Sequence, residues 1–489
     1  MADIRVNTLA SGHCPRRYGA LRGICLLAAM ALAFFAGVGE AKAGVFNPKT
    51  FTLPNGMQVV VLENHRLPVV RQMVFYRVGA ADDPPGKSGL AHFLEHLMFK
   101  GTKSIPPGQF SRIVARNGGR DNAFTSADVT AYFQTFSKDR LELMMRIESD
   151  RMTNLVIAEK EAVSEIQVVI EERRTRTDNR PSSQLDEHIG TALFMNHPYR
   201  IPIIGWMHEL RTLTADDARA FYKRHYAPNN AILVLTGDVT VDEVRPLAEK
   251  YYGVIPANPA ITPRVRLQEP PQRAARRVAM RSDRVREPRL TRDYLAPTHL
   301  SGETKHAYPL EVLQAILGGG ASSRLYRALV VEQKLALGIG ASYGSDSFGP
   351  TAFGFVARPR DGVALERIEA ALDAEISRIV ADGVTDEEIA VAKKRMVDAA
   401  IFARDSLRQG ATVIGLTLAS GRPLSDVEEW PERIQAVTRQ QILEAARYIL
   451  KPERSVTGLL LPDALAARPD DDRKRERLRT SNTSSGESR

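Results

Sequence analysis

The sequence predicts an α+β fold of two homologous domains, each a mainly antiparallel sheet flanked by helices, that together form a clam-like chamber. Two observations support this prediction. Strand-like and helix-like segments recur in a similar order in residues 44–255 and again in residues 274–466. Between them, residues 256–273 contain five prolines and little periodicity, which indicates a linker.

The first 43 residues are typical of a secretory leader. Arg16, Arg17 and Arg22 precede the apolar stretch "GICLLAAMALAFFAGVG", and Ala41 and Ala43 then fit a small-x-small cleavage signal. We therefore expect a signal peptide that is cut after Ala43, a periplasmic location, and no stable membrane anchor in the mature chain. The alternative is that the apolar stretch is retained as an anchor.

Cysteine content and charge exclude several classes of site. Cys14 and Cys25 both lie in the leader, so any metal in the mature chain must be held by His, Asp or Glu. The net charge of +9 is modest, and no basic strip is interleaved with aromatic residues, so we predict no nucleic-acid partner. Residues 467–489 are charged and rich in serine, which predicts a disordered tail.

In the first half, strand and helix patterns alternate. Pro54-Asn55-Gly56 is a tight-turn signal between two β-rich runs, and "PVVRQMVFYRVGA" and "DVTAYFQTF" are strand candidates. A helical pattern covers residues 89–99, and three further stretches read as helices: "KDRLELMMRIESDRM", "EKEAVSEIQVVIEERRTR" and "TVDEVRPLAEKYYG". The apolar run "NNAILVLTGDV" is typical of a buried strand.

The second half repeats this order more faintly. "RRVAMRSD", "SYGSDSFGPTAFGFVARP" and "SVTGLLLP" read as strands. "KHAYPLEVLQAILGGGASSRLYRALVVEQKLA" reads as helices around a glycine turn, and two clear helices follow residue 362. A weak alignment sets "LAHFLEHLMFKG" against "LEVLQAILGGG". The second copy then has Gln and Ala in place of Glu and His, so we assign the chemistry to the first half alone.

The stretch "AHFLEHLMFK" places ionisable groups on an apolar helix. His92 and His96 are four residues apart, which puts both imidazoles on one helix face, as two ligands of one ion require. Glu95 lies beside them, where it could take a proton from a water that zinc polarises. The structural alternative for the pentapeptide alone is a partly exposed helix whose histidines contact backbone or carboxylate partners.

A third ligand could come from "EIQVVIEERR". This segment offers Glu165, Glu171 and Glu172. Glu165 and Glu172 are seven residues apart, two helical turns on one face, whereas Glu171 is rotated by about a hundred degrees. Spacing therefore places Glu165 and Glu172 on one helix face but does not decide which glutamate is the third ligand.

Together, "HFLEHLMFKGT" and "EIQVVIEERR" resemble the pitrilysin/insulysin family of inverted-motif zinc metallopeptidases, most closely its bacterial and mitochondrial-processing-peptidase-like branch. In that family the third zinc ligand is a glutamate 76 residues after the second histidine, which here is Glu172. The resemblance therefore implies one Zn²⁺ per chain held by His92, His96 and Glu172, with Glu95 as the general base. Glu165 matches the family's nearby acidic residue that supports the site.

The segment "GGRDNAFTSADVTAYFQTF" also resembles the family, at the edge strand that accepts an extended peptide. The matching residues are Asn122, Ala123 and Phe124. An edge strand can pair with a substrate backbone whatever its side chains. The structural alternative is that Asn122 makes a turn and Phe124 belongs to the core.

In one place the sequence departs from the family. Active single-chain members carry an Arg and a Tyr in the second half that reach the substrate, and the matching positions here are Val330 and Leu337. Losing such a hydrogen-bond donor typically costs about 10²–10³ in rate. Arg324, Tyr326, Arg327 or Tyr343 could substitute in a different register.

We therefore predict a zinc-dependent endopeptidase acting on peptides or unfolded polypeptides in the periplasm. The departure favours a zinc-bearing subunit that works with a paralogous partner as a heterodimer, or else a homodimer. The alternative function is a non-catalytic peptide-binding or assembly subunit on the same fold.

Overall fold

Six strands form the first of two sheets. The computed structural model describes residues 44–463, and the predicted signal peptide (1–43) and disordered tail (467–489) lie outside them. The strands are β1 (Lys49–Thr52), β2 (Gln58–Glu63), β3 (Val69–Tyr76), β4 (Arg120–Thr125), β5 (Thr130–Ser137) and β6 (Ala231–Gly237). Their order is β1-β2-β6-β3-β5-β4, and only the β2–β6 pair is parallel. The buried apolar strand β6 lies inside the sheet, whereas β4 lies at its edge.

The second sheet repeats this topology without the outermost strand. Its strands are β7 (Arg276–Ser282), β8 (Arg289–Ala296), β9 (Ala336–Tyr343), β10 (Thr351–Pro359) and β11 (Ser455–Pro462). Their order is β7-β11-β8-β10-β9, with β7 and β11 parallel. Each strand therefore matches one of β2-β6-β3-β5-β4, which confirms the predicted duplication of a mainly antiparallel α+β unit.

Helices surround both sheets. In the first half they are α1 (Leu90–Leu97), α2 (Gln109–Arg116), α3 (Leu141–Asn154), α4 (Glu159–Arg173), α5 (Pro181–Leu193), α6 (Met207–Leu210), α7 (Ala215–His225) and α8 (Val241–Tyr251). In the second half they are α9 (Ala307–Gly318), α10 (Leu365–Asp382), α11 (Asp386–Ala403), α12 (Leu407–Ser420), α13 (Ser425–Glu428), α14 (Trp430–Ala436) and α15 (Arg439–Ile449). Among residues 44–463, no helix combines the length and the apolar character needed to cross a membrane.

Each half covers its sheet on one face with its own helices and on the other with a helix from the opposite half. Helix α12 buries Ala411, Ile414 and Leu418 against β2, β3 and β6 of the first sheet. Reciprocally, α5 buries Leu185, Ile189 and Leu193 against β11 of the second sheet. Glycines permit both approaches, because a Cβ at Gly415 would lie 2.0 Å from the Phe75 ring and a Cβ at Gly458 would lie 2.2 Å from Ile189 Cδ1.

The predicted linker, residues 256–273, forms neither helix nor strand but is bound along its length. Arg266 pairs with the carboxylates of Asp82 and Asp128 of the first half. Further along, the Glu269 carboxylate accepts hydrogen bonds from the backbone N–H groups of residues 195–197. The linker therefore holds a defined path between the two sheets. Its exact boundaries, and those of the two domains, stay predictions.

Candidate metal centre

Helix α1 presents its ionisable residues from an otherwise apolar helix. Its apolar side chains are buried in the first core: Leu90, Ala91, Phe93, Leu94 and Leu97. The carboxylate of Asp83 accepts hydrogen bonds from the backbone N–H groups of Gly89 and Ala91, both at 2.8 Å, at the first turn of the helix. Burial raises the pKa of Asp83 to about 8, while these bonds and the helix dipole favour its charged form. The helix that carries the two histidines is thus anchored at its N-terminus.

Helix α4 brings a carboxylate against both imidazoles. Glu172 Oε2 lies 3.3 Å from His96 Nε2 and 3.6 Å from His92 Nε2. One potential ligand atom from each of the three residues falls within 4.8 Å of the others. Glu172 follows His96 by 76 residues and His92 by 80, so only the packing of α1 on α4 brings the three side chains together. The structure therefore places the three sequence-predicted ligands in one cluster.

The two histidines of the cluster have pKa shifts in opposite directions. Burial lowers the pKa of His92 to about 4, which keeps its imidazole neutral, the form that binds metals. Burial opposes the charged form of His96, yet the carboxylates of Glu165 and Glu172 raise its pKa to about 9. Glu172 Oε2 is buried and accepts no well-formed hydrogen bond from residues 44–463. Two imidazoles and this carboxylate oxygen fit a zinc ion, which prefers such ligands.

Glu165 contacts the site from behind. Its carboxylate bonds His96 Nδ1 at 2.9 Å and forms a close ion pair with Lys100. Although burial opposes the charge, these two contacts lower the pKa of Glu165. A carboxylate on Nδ1 directs the opposite ring nitrogen of His96 toward the cluster, as in carboxylate–histidine–metal arrangements. Glu165 thus lies where a supporting residue would, and outside the ligand cluster itself.

Glu95 lies beside the cluster but is not one of its three members. Its Oε2 accepts a hydrogen bond from the Thr125 hydroxyl at 2.6 Å. Burial raises the pKa of the Glu95 carboxyl, which makes it a stronger base once it is deprotonated. The position and the environment of Glu95 are those expected of a proton-transfer group.

The cluster opens into a cavity of about 830 Å³. The strand residues Asn122, Ala123, Phe124 and Thr125 form one wall, and Pro202, Ile203 and Ile204 form an apolar wall. Because β4 is an edge strand, one side of its backbone has no strand partner within the described sheet. The residues predicted to bind an extended peptide therefore lie beside the cluster.

Every residue that lines this cavity comes from the first half. Val330 is buried in the second core, and Leu337 is half-exposed at the start of β9. Of the candidate substitutes, Arg324 pairs with Glu388, and Tyr343 donates its hydroxyl to Pro297 O. None of these residues reaches the cavity, and the same holds for Tyr326 and Arg327.

Sequence reasoning missed four residues that shape the site. Lys100 and Arg176 lie four residues after His96 and Glu172, so helical spacing could have found them. Thr125 extends the strand that carries Asn122, and it contacts Glu95 only because β4 packs on α1. Asp83 precedes α1 by seven residues and has no sequence signature of a helix cap.

Comparison with known proteins relates both halves to one family. Residues 58–206 match the family model described as "Insulinase (Peptidase family M16)", and residues 212–396 match "Peptidase M16 inactive domain". The zinc protease PqqE of Helicobacter pylori is 34% identical over 344 residues, which span 70% of this chain and 76% of that protein. An uncharacterised zinc protease of Streptomyces coelicolor is 28% identical over 447 residues, which span 86% of this chain and 92% of that protein.

Solved structures share the fold. A protease from Helicobacter pylori superposes with a TM-score of 0.79 at 29% identity, covering 85% of this chain and 99% of that chain. The periplasmic protease PqqL of Escherichia coli matches with a TM-score of 0.74 at 22% identity, covering 86% of this chain and 48% of that chain. The separately solved first half of PqqL matches with a TM-score of 0.73, 94% of it being covered.

Proposed function

Since this chain belongs to the insulinase (M16) family of peptidases, we propose that it is a zinc-dependent endopeptidase. Membership confirms the resemblance that the two sequence motifs indicate. The observation that carries the proposal is the convergence of His92, His96 and Glu172 beside the buried carboxyl of Glu95. Homologues named zinc proteases support the choice of metal.

In the proposed mechanism, His92, His96 and Glu172 would hold one zinc ion. When bound, zinc supplies Lewis acidity, which polarises water and the scissile carbonyl. Glu95 accepts the proton of the attacking water and later delivers it to the leaving amine. The Thr125 hydroxyl holds one oxygen of Glu95 and leaves the other for proton transfer. The free edge of β4 pairs with the peptide backbone and lays it across the cluster.

We propose that activity requires a second subunit. The cavity receives no residue from the second half of this chain, so an Arg/Tyr pair at positions 330 and 337 would not reach it in the described structure. A partner's second half would supply the missing donors, either in a heterodimer or in a homodimer with substitute groups. This chain covers 48% of PqqL of Escherichia coli, so in that protein the shared fold lies within a longer chain.

A non-catalytic peptide-binding or assembly subunit is the second candidate. The observation that favours it is the aliphatic pair Val330 and Leu337, which cannot donate hydrogen bonds to a substrate. The ligand cluster and the position of Glu95 favour catalysis. For either function we propose a periplasmic location, which rests on the leader composition of residues 1–43.

Substitution Glu95→Gln tests the catalytic proposal. The amide keeps the shape of the side chain but cannot accept a proton, so hydrolysis of a fluorogenic peptide should fall by at least about 10²-fold while zinc content stays near one ion per chain. The matched control is Glu171→Gln, an exposed carboxylate on α4 that pairs with Arg174. Turnover retained by Glu95→Gln would refute the mechanism.

The same assay separates enzyme from assembly subunit when it is run with the chain alone and with a candidate partner. Zinc at one ion per chain with turnover in either arm supports the peptidase. Zinc-loaded protein that binds peptide without cleaving it in both arms supports the second candidate. Native mass spectrometry of the same samples identifies the oligomer.

A further inference from the structure

Arg176 is an exposed cation at the edge of the metal centre. It lies on the π-helical turn Arg174–Asp178, which continues α4 directly beyond Glu172 and Arg173. π-Helical turns are rare in proteins and frequently lie at functional sites. The side chain of Arg176 remains 67% exposed even though Nη1 contacts Glu172 Oε1 at 2.9 Å. Its other donors find no partner among the described residues.

The two oxygens of Glu172 face different cations. Oε2 faces the two imidazoles, whereas Oε1 faces Arg176. An exposed ion pair four residues apart is worth only about 0.3–0.5 kcal/mol, so helix stability alone gives little reason for an arginine here. The guanidinium has five donors in a rigid fork and uses only part of it for Glu172. The remaining donors are available to a second carboxylate.

Arg176 also joins two cavities. It lines the cavity of the metal centre, and it lines a second, open one of about 640 Å³ on the outer face of α4 with Gln167, Val168 and Thr175. A peptide that runs along β4 and past the histidines would therefore pass Arg176 as it leaves the site. Because Arg176 contacts Glu172 of the cluster, its contact with such a peptide would lie within a few residues of the scissile bond.

The carboxylates that line the cavity are largely committed to partners other than Arg176. Two of the cavity carboxylates are already paired, Glu165 with Lys100 and Glu187 with Arg173. The other two, Glu95 and Glu172, together match the charge of one divalent ion. With an ion bound, Glu172 would be shared between the ion and Arg176, so no carboxylate of the cavity would belong to Arg176 alone.

Resting on the proposed peptidase function, we propose that Arg176 binds a carboxylate of the peptide substrate and so selects acidic substrates. The carboxylate is either an Asp or Glu side chain close to the scissile bond or a free C-terminus close to it. Fork-like pairing of a guanidinium with a carboxylate supplies both affinity and orientation. The neighbouring apolar wall, Pro202–Ile204, would receive the adjoining side chains.

Peptide binding to the full chain with Glu95→Gln tests this proposal without turnover. Four labelled peptides of one sequence carry Asp or Asn at one position near the scissile bond, each with a free or an amidated C-terminus. Fluorescence anisotropy should show about tenfold tighter binding of the peptide whose carboxylate contacts Arg176. That ratio of dissociation constants corresponds to a difference of about 1.4 kcal/mol in binding free energy. The Asp/Asn arms and the acid/amide arms identify which carboxylate it is, and moving the Asp along the peptide locates the contact.

Substitution Arg176→Gln should reduce that tenfold preference to less than twofold, and Arg176→Lys should retain part of it. The matched control is Arg174→Gln, which removes an arginine of the same turn that pairs with Glu171 and does not line the cavity. The control should keep the preference. The zinc content of each variant is also measured. A variant that fails to load zinc should bind all four peptides more weakly by the same factor, whereas a variant that has lost only the carboxylate contact should keep its zinc and lose the preference.

A preference that persists in Arg176→Gln, or that disappears equally in Arg174→Gln, would overturn the assignment. Equal binding of all four peptides by the parent protein would also overturn it while leaving the peptidase proposal intact. Failure of the parent to bind any peptide would instead count against the proposed function, and the inference would fall with it.

Discussion

At the scale of single residues, the two histidines of the cluster have unequal support. His96 has a carboxylate behind it, since Glu165 bonds its Nδ1 and is itself paired with Lys100. His92 Nδ1 is buried without a hydrogen-bond partner among the described residues. The contacts that link Lys100, Glu165 and His96 therefore fix the orientation of one candidate ligand, while packing in the core must fix the other. The affinity of the site should depend strongly on Glu165.

We expect Glu165→Ala to weaken zinc binding by about 10–100-fold, as is typical when a carboxylate behind a ligating histidine is removed. Zinc dissociation constants from competition with a chromophoric chelator measure the effect. The control is Glu171→Ala on the exposed side of the same helix, which should change the affinity less than twofold. Equal effects of both substitutions would show that Glu165 has no special relation to His96.

At the scale of elements, a glycine pair allows the segment after α5 to contact the start of α1. Gly89 has φ +86, and a Cβ there would lie 2.6 Å from Ile204 O. Gly205 has φ +85, and its Cβ would lie 2.4 Å from Ser88 O. Arg173, next to Glu172 on α4, donates to Gly205 O and to the Glu187 carboxylate. The two helices that carry the candidate ligands, α1 and α4, are thus joined through one short segment.

Substitution of either glycine by alanine should destabilise the protein by more than about 2 kcal/mol, because it combines left-handed backbone strain with a backbone clash. The control is Gly86→Ala, where φ is +79 and a Cβ would meet nothing within 4 Å. In Gly86→Ala, backbone strain alone should lower the free energy of unfolding by about 1–2 kcal/mol. Urea denaturation gives the free energies of unfolding, and equal losses at Gly86 and Gly89 would contradict the close approach.

At the scale of the whole molecule, the exchange of helices ties the two halves together. Each sheet has one apolar face that is covered by a helix of the opposite half, α12 on the first sheet and α5 on the second. A separated half would expose that face and also the apolar side of its own displaced helix. The halves therefore form one folding unit although each has a complete sheet.

A chain cut after Ala260 should demonstrate this dependence. Fragments 44–260 and 261–463 should aggregate or lack cooperative unfolding when expressed singly, and should form a 1:1 complex when co-expressed, as measured by size-exclusion chromatography and circular dichroism. Leu185→Asp in the first fragment should prevent assembly because it buries an unpaired charge. His188→Asp on the exposed side of α5 should not. A stable, monomeric single fragment would contradict the interpretation.

Local regularities carried much of the prediction from sequence. Helical spacing relates His92 to His96 and Glu165 to Glu172 whatever the rest of the fold does, because backbone hydrogen bonds set the period of a helix. Strands β1, β2, β3, β5, β6, β7, β10 and β11 were also predicted, from turn signals and apolar patterning. Strand β8, most of β9, and helices α2, α5–α7 and α12–α15 were not predicted. The segment that forms β8, "RLTRDYLA", carries three charges on a largely buried strand, and its two arginines are paired through tertiary contacts.

What the sequence by itself determined is the family, the duplicated α+β fold and the residues offered for a metal site, because these follow from motifs and from short-range periodicity. What only the tertiary structure decided is which groups meet. The approach of Glu172 to both histidines, the contact of Thr125 with Glu95 and the exchange of α5 and α12 join residues far apart in the chain. The structure also assigned the cavity to the first half alone, because its lining depends on which surfaces pack together.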